Sequence, residues 1–204
     1  MTPIEIVFAS GNLHKVEEAR KILGEGFRIV TPAQLGFAGE IPETHGTIPE
    51  NSEEKARFVW NLFRKPCFSD DTGLEVESLG GEPGVYSARY AGEPKDMSRN
   101  VAKLLERMKD IPDGSRQARF RCVVSYVSAD GILNQFEGLC TGRINRAPVI
   151  QGGFGYDPVF VPDEISAGVA NADGLTMSEM GMEAKNAISH RGKAMSKLAD
   201  FLND

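Results

Sequence analysis

Two carboxylates stand side by side at Asp70 and Asp71, in the stretch Phe68-Ser69-Asp70-Asp71-Thr72-Gly73 that follows a short apolar run. Adjacent like charges raise each other's pKa and resist joint burial, so such a pair is costly to hold without a cation. A hard metal ion would meet that need. Oxygen donors with no His/Cys cluster nearby favour Mg²⁺ or Mn²⁺ over zinc, and Mg²⁺ commonly takes one or two carboxylates together with substrate phosphate. The pair therefore points to phosphate chemistry. The plainer alternative is a strand-end turn in which Asp70 caps backbone amides and Asp71 faces solvent.

A cationic run, Ser189-His190-Arg191-Gly192, lies far along the chain, with Lys185 just before it. Arg191 can give paired hydrogen bonds to a carbonyl or phosphate, and His190 can donate or accept. Near the start, Ser10-Gly11-Asn12-Leu13-His14-Lys15 falls between an apolar strand and a helix, where backbone N–H groups and the helix dipole attract anions. It lacks the G-x-x-x-x-G-K-[ST] phosphate-loop pattern. A helix capped by Asn12, with Lys15 and His14 in solvent, reads equally well. Glu43 offers another carboxylate, and Lys55 falls one helical turn beyond Asn51 on the same face, so one reading is a metal ligand at Glu43 with Lys55 on phosphate. The alternative there is a solvated loop and a surface lysine. In Gly152-Gly153-Phe154-Gly155-Tyr156-Asp157-Pro158, glycines permit close backbone approach and Phe154 offers a face for stacking a base. A glycine turn pinned by a buried aromatic is the other reading.

The elements that must position these groups follow from periodicity. Ile4 to Ala9 is a near-continuous apolar run, as in a strand buried on both faces. Val16, Ala19, Ile22 and Leu23 recur at helical spacing, with Gly24 placed as a C-cap. Phe27 to Val30 reads as a second strand, and Asn51-Ser52-Glu53-Glu54 resembles a capping box opening a helix to Phe63. Cys67 to Ser69 forms a third strand on this reading and delivers the Asp pair at its C-terminal end, where open α/β sheets place ligand sites. Asp96 to Met108 fits a helix, and Ala118 to Val127 with Ile132 to Phe136 reads as a long antiparallel hairpin. Asp163 to Gly174 reads as a polar loop, followed by one or two helices ending near Leu202. This order predicts an α/β fold: an elongated mixed sheet with flanking helices, in two lobes around a central cleft.

The chain of 204 residues, 41% hydrophobic, can bury a sizeable core without staples. Its three cysteines, Cys67, Cys122 and Cys140, are too scattered for a zinc or redox motif and read as reduced structural thiols. A net charge of −6 argues against a nucleic-acid partner, which needs a basic face. No apolar run approaches the roughly 20 residues of a membrane span, and Met1-Thr2-Pro3-Ile4-Glu5 lacks the features of a signal peptide. The expectation is a cytoplasmic protein with no membrane partner.

Taken in order, Ser10-Gly11-Asn12 with Lys15, Glu50-Asn51 with Lys55-Ala56, Asp70-Asp71-Thr72-Gly73-Leu74, Gly84-Val85-Tyr86-Ser87-Ala88-Arg89-Tyr90, Gly153-Phe154-Gly155-Tyr156-Asp157-Pro158 and Ser189-His190-Arg191-Gly192 resemble the family of non-canonical purine nucleoside triphosphate pyrophosphatases, also called inosine triphosphatases. The resemblance spans nearly the whole chain. It implies a single domain over residues 1–204 with an active site between its two lobes, forming a homodimeric, Mg²⁺-dependent enzyme. Its activity would be cleavage of ITP, dITP and XTP to the monophosphate and pyrophosphate. It also implies Ser10 to Lys15 (Ser10, Gly11, Asn12, Leu13, His14, Lys15) as the phosphate-binding turn, Asp71 as general base and metal ligand, Glu43 as the other metal carboxylate, and Thr72 as a substrate contact. Lys55 on phosphate, and Phe154, Gly155, Tyr156, Asp157, Lys185, His190 and Arg191 at the base, complete the set. The chain departs from the pattern at four places. His14 replaces a glycine, Glu43-Thr44-His45-Gly46 displaces another by one position, Asp163 to Thr176 is longer than usual, and Met180-Gly181-Met182 replaces a more typically polar helix segment. The rival readings are a general nucleoside triphosphatase releasing orthophosphate and a non-catalytic nucleotide-binding module.

Overall fold

The apolar run at the start forms β1 (Ile4–Phe8), and its side chains alternate between two cores, Ile6 and Phe8 in one and Val7 in the other. In the computed structural model, which describes residues 3–149 and 154–203, the chain continues through α1 (Leu13–Leu23), β2 (Phe27–Val30), α2 (Ile48–Phe63), β3 (Cys67–Val76) and β4 (Pro83–Gly84). Then follow α3 (Met97–Arg107), β5 (Gln117–Val127), β6 (Leu133–Ile144), β7 (Phe160–Pro162), β8 (Glu164–Ser166), β9 (Val169–Ala170), α4 (Met182–Ile188) and α5 (His190–Asn203). The main sheet has the strand order β2-β1-β3-β5-β6-β7, with β4 paired to β3. The chain divides into two compact units, Met1–Asp71 with Cys122–Gly138 and Arg191–Asp204, and Thr72–Arg121 with Leu139–His190.

In the first unit β1 lies parallel to both β2 and β3, matching Val7 with Val30 and Phe8 with Phe68. Parallel strands joined by helices bury both faces, which is why β1 reads as near-continuously apolar. On one face Val16, Ala19 and Leu23 of α1 and Ala194, Met195 and Leu198 of α5 pack against Ile6, Phe8, Ile29 and Phe68. On the other, Ala56 and Val59 of α2 meet Val7, Ala9, Val30 and Cys67. Asn12 caps α1, and Gly24 closes it at φ +78°, a conformation only glycine adopts without strain.

The second unit has its own core, in which Val101 and Leu104 of α3 and Met108 after it pack with Leu74, Val76, Ile144, Val159, Phe160 and Ile188. Arg116 is buried beside it, donating to the carbonyls of Met108, Ile111, Ile144 and Asn145, so its charge is solvated by backbone dipoles.

Three local expectations are corrected. The third strand does not stop at Ser69: β3 runs ten residues to Val76, so Asp70 and Asp71 lie within it, just past the last residue paired with β1. Its continuation is supported by the antiparallel pairing of Leu74 and Glu75 with β4. Helix α2 starts earlier than the Asn51 capping box predicts. Its N-cap is Thr47, whose side chain accepts from the Glu50 amide while its hydroxyl donates to the Glu50 carboxylate at 2.6 Å, and Pro49 sits in the first turn. Finally, the Asp163 to Gly174 segment contains the β8–β9 hairpin rather than loop alone.

Gly142 of β6 faces Pro162 of β7 in an antiparallel pair. A methyl group there would overlap the Val161 carbonyl oxygen and lie 2.8 Å from Pro162 Cα, and neither backbone can yield without disturbing the register. Gly142→Ala is therefore expected to cost about 1–3 kcal/mol of stability, read as a lower Tm in thermal unfolding.

Candidate active site

Asp70 is 2% exposed, and its carboxylate lies between two cations: Lys15 Nζ donates to Oδ1 at 2.9 Å, and Arg191 Nε donates to Oδ2 at 3.0 Å. Lys15 arrives from the first turn of α1 and Arg191 from the first turn of α5. Burial alone would raise the Asp70 carboxyl, but Lys15, Arg191 and Lys55 hold it well below the usual carboxylate range. Burial would likewise weaken the Arg191 charge, yet Asp70, Cys122 and Glu18 push its pKa up. Glu18 accepts from Arg191 Nη1 at 3.4 Å. Thus the first member of the Asp pair is neutralised by the protein itself.

Asp71 is treated differently. Lys55, only 5% exposed, donates from one Nζ to Glu43 Oε1 at 2.6 Å and to Asp71 Oδ1 at 3.0 Å. Burial opposes the Lys55 charge, but Asp71, Asp70 and Glu43 outweigh it and raise the ammonium above its ordinary value. Asp71 moves the other way. Burial raises its carboxyl, Glu43 and Asp70 add to the rise, and Lys55 offsets only part of it. Two carboxylates therefore share one ammonium, and the set is one positive charge short. Hard oxygen donors in charge deficit fit a divalent cation. Among the described residues no group of three or more His, Cys, Asp or Glu converges as an all-protein metal cage. A site of two carboxylates completed by substrate phosphate needs none.

Helix α2 fixes Lys55 over β3 through buried hydroxyls. Ser52 Oγ donates to the Val123 carbonyl at 2.9 Å, and Ser69 Oγ donates to the Ser52 carbonyl. Neither serine was singled out from sequence. The available signal was that Ser52, Lys55, Ala56 and Val59 share one helical face. Glu18 was missed as well, although it stands one turn beyond Lys15.

The Ser10 to Lys15 turn combines its two alternatives. Asn12 Oδ1 accepts from the His14 amide at 3.0 Å, so the helix is capped, and His14 is exposed. Lys15 is not left in solvent, since it holds Asp70. Ser10 Oγ accepts from the Asn12 amide at 3.2 Å, while Gly11 and Leu13 lie at the exposed surface of the turn.

In the second unit, Asp157 Oδ2 accepts from the Phe154 amide at 2.9 Å and from Lys185 Nζ at 2.7 Å, which ties α4 to this turn. Gly155 sits at φ +62° within it. The aromatic that pins the turn is Tyr156, 4% exposed, whose hydroxyl donates to the Ser87 carbonyl at 2.9 Å. Phe154 is 75% exposed, leaving its face open for stacking. Gly152 and Gly153 lie outside the described residues. His190 stacks on Phe120 with centroids 5.1 Å apart. Thr72 Oγ1 is buried with no hydrogen-bond partner among the described residues, a costly state that a ligand oxygen would relieve.

Comparison with known proteins gives a consistent picture. The model of the Ham1 family matches residues 6–201. A dITP/XTP pyrophosphatase from Porphyromonas gingivalis is 45% identical over 198 residues, covering 97% of each chain. One from Escherichia coli is 44% identical over 204 residues, covering 98% of each. Among solved structures, the Staphylococcus aureus Ham1 protein matches with a TM-score of 0.87 at 35% identity, covering 98% of both chains.

Because Asp70 balances two cations, Asp70→Asn is expected to lower stability by roughly 3 kcal/mol, seen as a smaller urea midpoint with unchanged slope. The sign of the pH dependence follows from the depressed native pKa. The wild-type advantage is fully present above the ordinary aspartate value of 3.8 and is lost as pH falls below it towards the native value. Equal stability of the two proteins at neutral pH would contradict the assignment.

Proposed function

The chain belongs to the Ham1 family, and on that premise we propose that it is a Mg²⁺-dependent pyrophosphatase of deaminated purine nucleoside triphosphates, converting ITP, dITP and XTP to the monophosphate and pyrophosphate. The observation that carries the reading is the division of labour in the acidic pair. Asp70 is neutralised by Lys15 and Arg191, whereas Asp71 and Glu43 share Lys55 and retain negative charge for a metal and for base chemistry.

Asp71, with its raised pKa, orients a water and takes its proton as the oxygen attacks the α-phosphorus in line. The bond from that phosphorus to the bridging oxygen breaks, and pyrophosphate leaves with the electron pair. Lys15 and Lys55 present fixed positive charge to the triphosphate and to the leaving group. Bound at Glu43 and Asp71, a divalent ion would supply further charge neutralisation and polarise the phosphoryl oxygens. Thr72 offers its hydroxyl to a phosphate oxygen, and the Ser10 to Lys15 segment serves as the phosphate-binding turn.

Phe154 stacks on the purine, a contact worth roughly 1–3 kcal/mol in nucleic-acid binders. Gly155, Tyr156 and Asp157 shape the turn that carries it. Lys185, His190 and Arg191 supply donors for a 6-keto oxygen; a 6-amino group would set donor against donor. Sites of this kind reject such analogues by up to about 10⁴–10⁵-fold. The activity would remove deaminated purines before polymerases use them. The reading further comprises a homodimer in the cytoplasm with no nucleic-acid or membrane partner. Among the described residues, no helix is long and apolar enough to cross a membrane.

Two measurements test the proposal. With Mg²⁺ and a matched set of ITP, XTP, GTP and ATP, pyrophosphate should appear from ITP and XTP and little from the others. Orthophosphate, or equal use of all four, would overturn it. Asp71→Asn is expected to lower kcat by about 10²–10⁴-fold while keeping the wild-type urea midpoint, since it removes a carboxylate whose ionised form burial disfavours. Retained Mg²⁺-dependent turnover in that variant would remove Asp71 from the role of base.

A further inference from the structure

Glu43 lies on a segment between β2 and α2 that has no regular element of its own from Gly36 to Gly46. A carboxylate on irregular backbone needs something else to aim it. Here that support comes from one turn of α2. Thr44 donates twice to Glu54, its amide to Oε2 and its hydroxyl to Oε1, both at 2.7 Å. The next residue is held as well, the His45 amide donating to Oδ1 of buried Asn51 at 2.8 Å, and His45 Nε2 lies 3.9 Å from Glu54 Oε1. Asn51, Glu54 and Lys55 are spaced i, i+3 and i+4, so they share a face of α2. The helical turn that presents Lys55 to the Glu43 carboxylate thus also grips the backbone immediately after Glu43.

We propose that Glu54 is a positioning residue for Glu43: its two-point grip on Thr44, seconded by Asn51 on His45, sets the direction of the Glu43 carboxylate towards Asp71 and Lys55. The proposal rests on the reading of Glu43 as a metal ligand. The grip accounts for how a segment in which His45 displaces the glycine still points Glu43 into the cluster. Charge-assisted bonds of this length are roughly twice as strong as neutral ones, and partners that orient metal ligands typically govern 10–100-fold of metal affinity.

The test uses Mn²⁺ alone, titrated into nucleotide-free protein and followed by the electron paramagnetic resonance signal of the free ion. Glu54→Ala should weaken Mn²⁺ binding about tenfold with a urea midpoint close to wild type. Glu54→Gln keeps an acceptor for the Thr44 amide and a partner for its hydroxyl, and should bind within about threefold of wild type. Wild-type binding by Glu54→Ala, with weakened binding by Glu43→Gln, would overturn the grip and leave the metal reading intact. Wild-type binding by Glu43→Gln would overturn both. Weakened binding by Glu54→Ala that tracks a lower urea midpoint and is not restored by Gln would reduce Glu54 to a merely structural role.

Discussion

A buried carboxylate persists ionised only where the fold surrounds it with positive charge or hydrogen-bond donors, and at Asp70 the fold supplies two cations. Its partners come from opposite ends of the chain, Lys15 from the start of α1 and Arg191 from the start of α5. Each cation sits in the first turn of its helix, where the dipole offers a cation no help, so the ion pairs themselves must hold them. The packing of α1 and α5 on one face of the sheet, through Val16, Ala19, Ala194, Met195 and Leu198, brings both ends to the same carboxylate.

The neighbouring residue shows what happens when compensation is incomplete. Asp71 and Glu43 divide one ammonium, and the Asp71 pKa rises although Lys55 is within 3.0 Å. A group pushed towards accepting a proton, beside a deficit of positive charge, is suited to base chemistry and to cation binding. The same strand therefore carries two carboxylates with opposed pKa shifts one residue apart. In a regular strand, adjacent side chains point to opposite faces, so the two meet different surroundings: α1 and α5 on one side, α2 on the other. Alternation divides the chemistry just as it divides the apolar residues of β1.

Much of the fold was legible because its signals are local. The caps at Asn12 and Gly24, the helix at Asp96 and the long hairpin follow from residue types a few positions apart. The errors were local too. Thr47 outcompeted Asn51 as N-cap because Pro49 and Glu50 completed a better first turn, and Asn51 was thereby released to hold His45. Strand β3 ran past the Asp pair because its continuation pairs with β4, in a sheet where β5 is also its neighbour.

For the candidate site, residue types and their order along the chain were enough to nominate the acidic pair, Lys15, Glu43, Lys55, Lys185 and Arg191. Which cation serves which carboxylate was decided only by tertiary structure. Lys15 reaches a partner 55 residues away and Arg191 one 121 residues away. Burial sets the cost of each charge and distance sets its relief, and neither quantity exists until the chain has folded. The contacts of Ser52, Ser69 and Glu18 belong to the same class. As single polar residues they resemble many surface positions in sequence. Their importance comes from long-range hydrogen bonds, which sequence spacing does not encode.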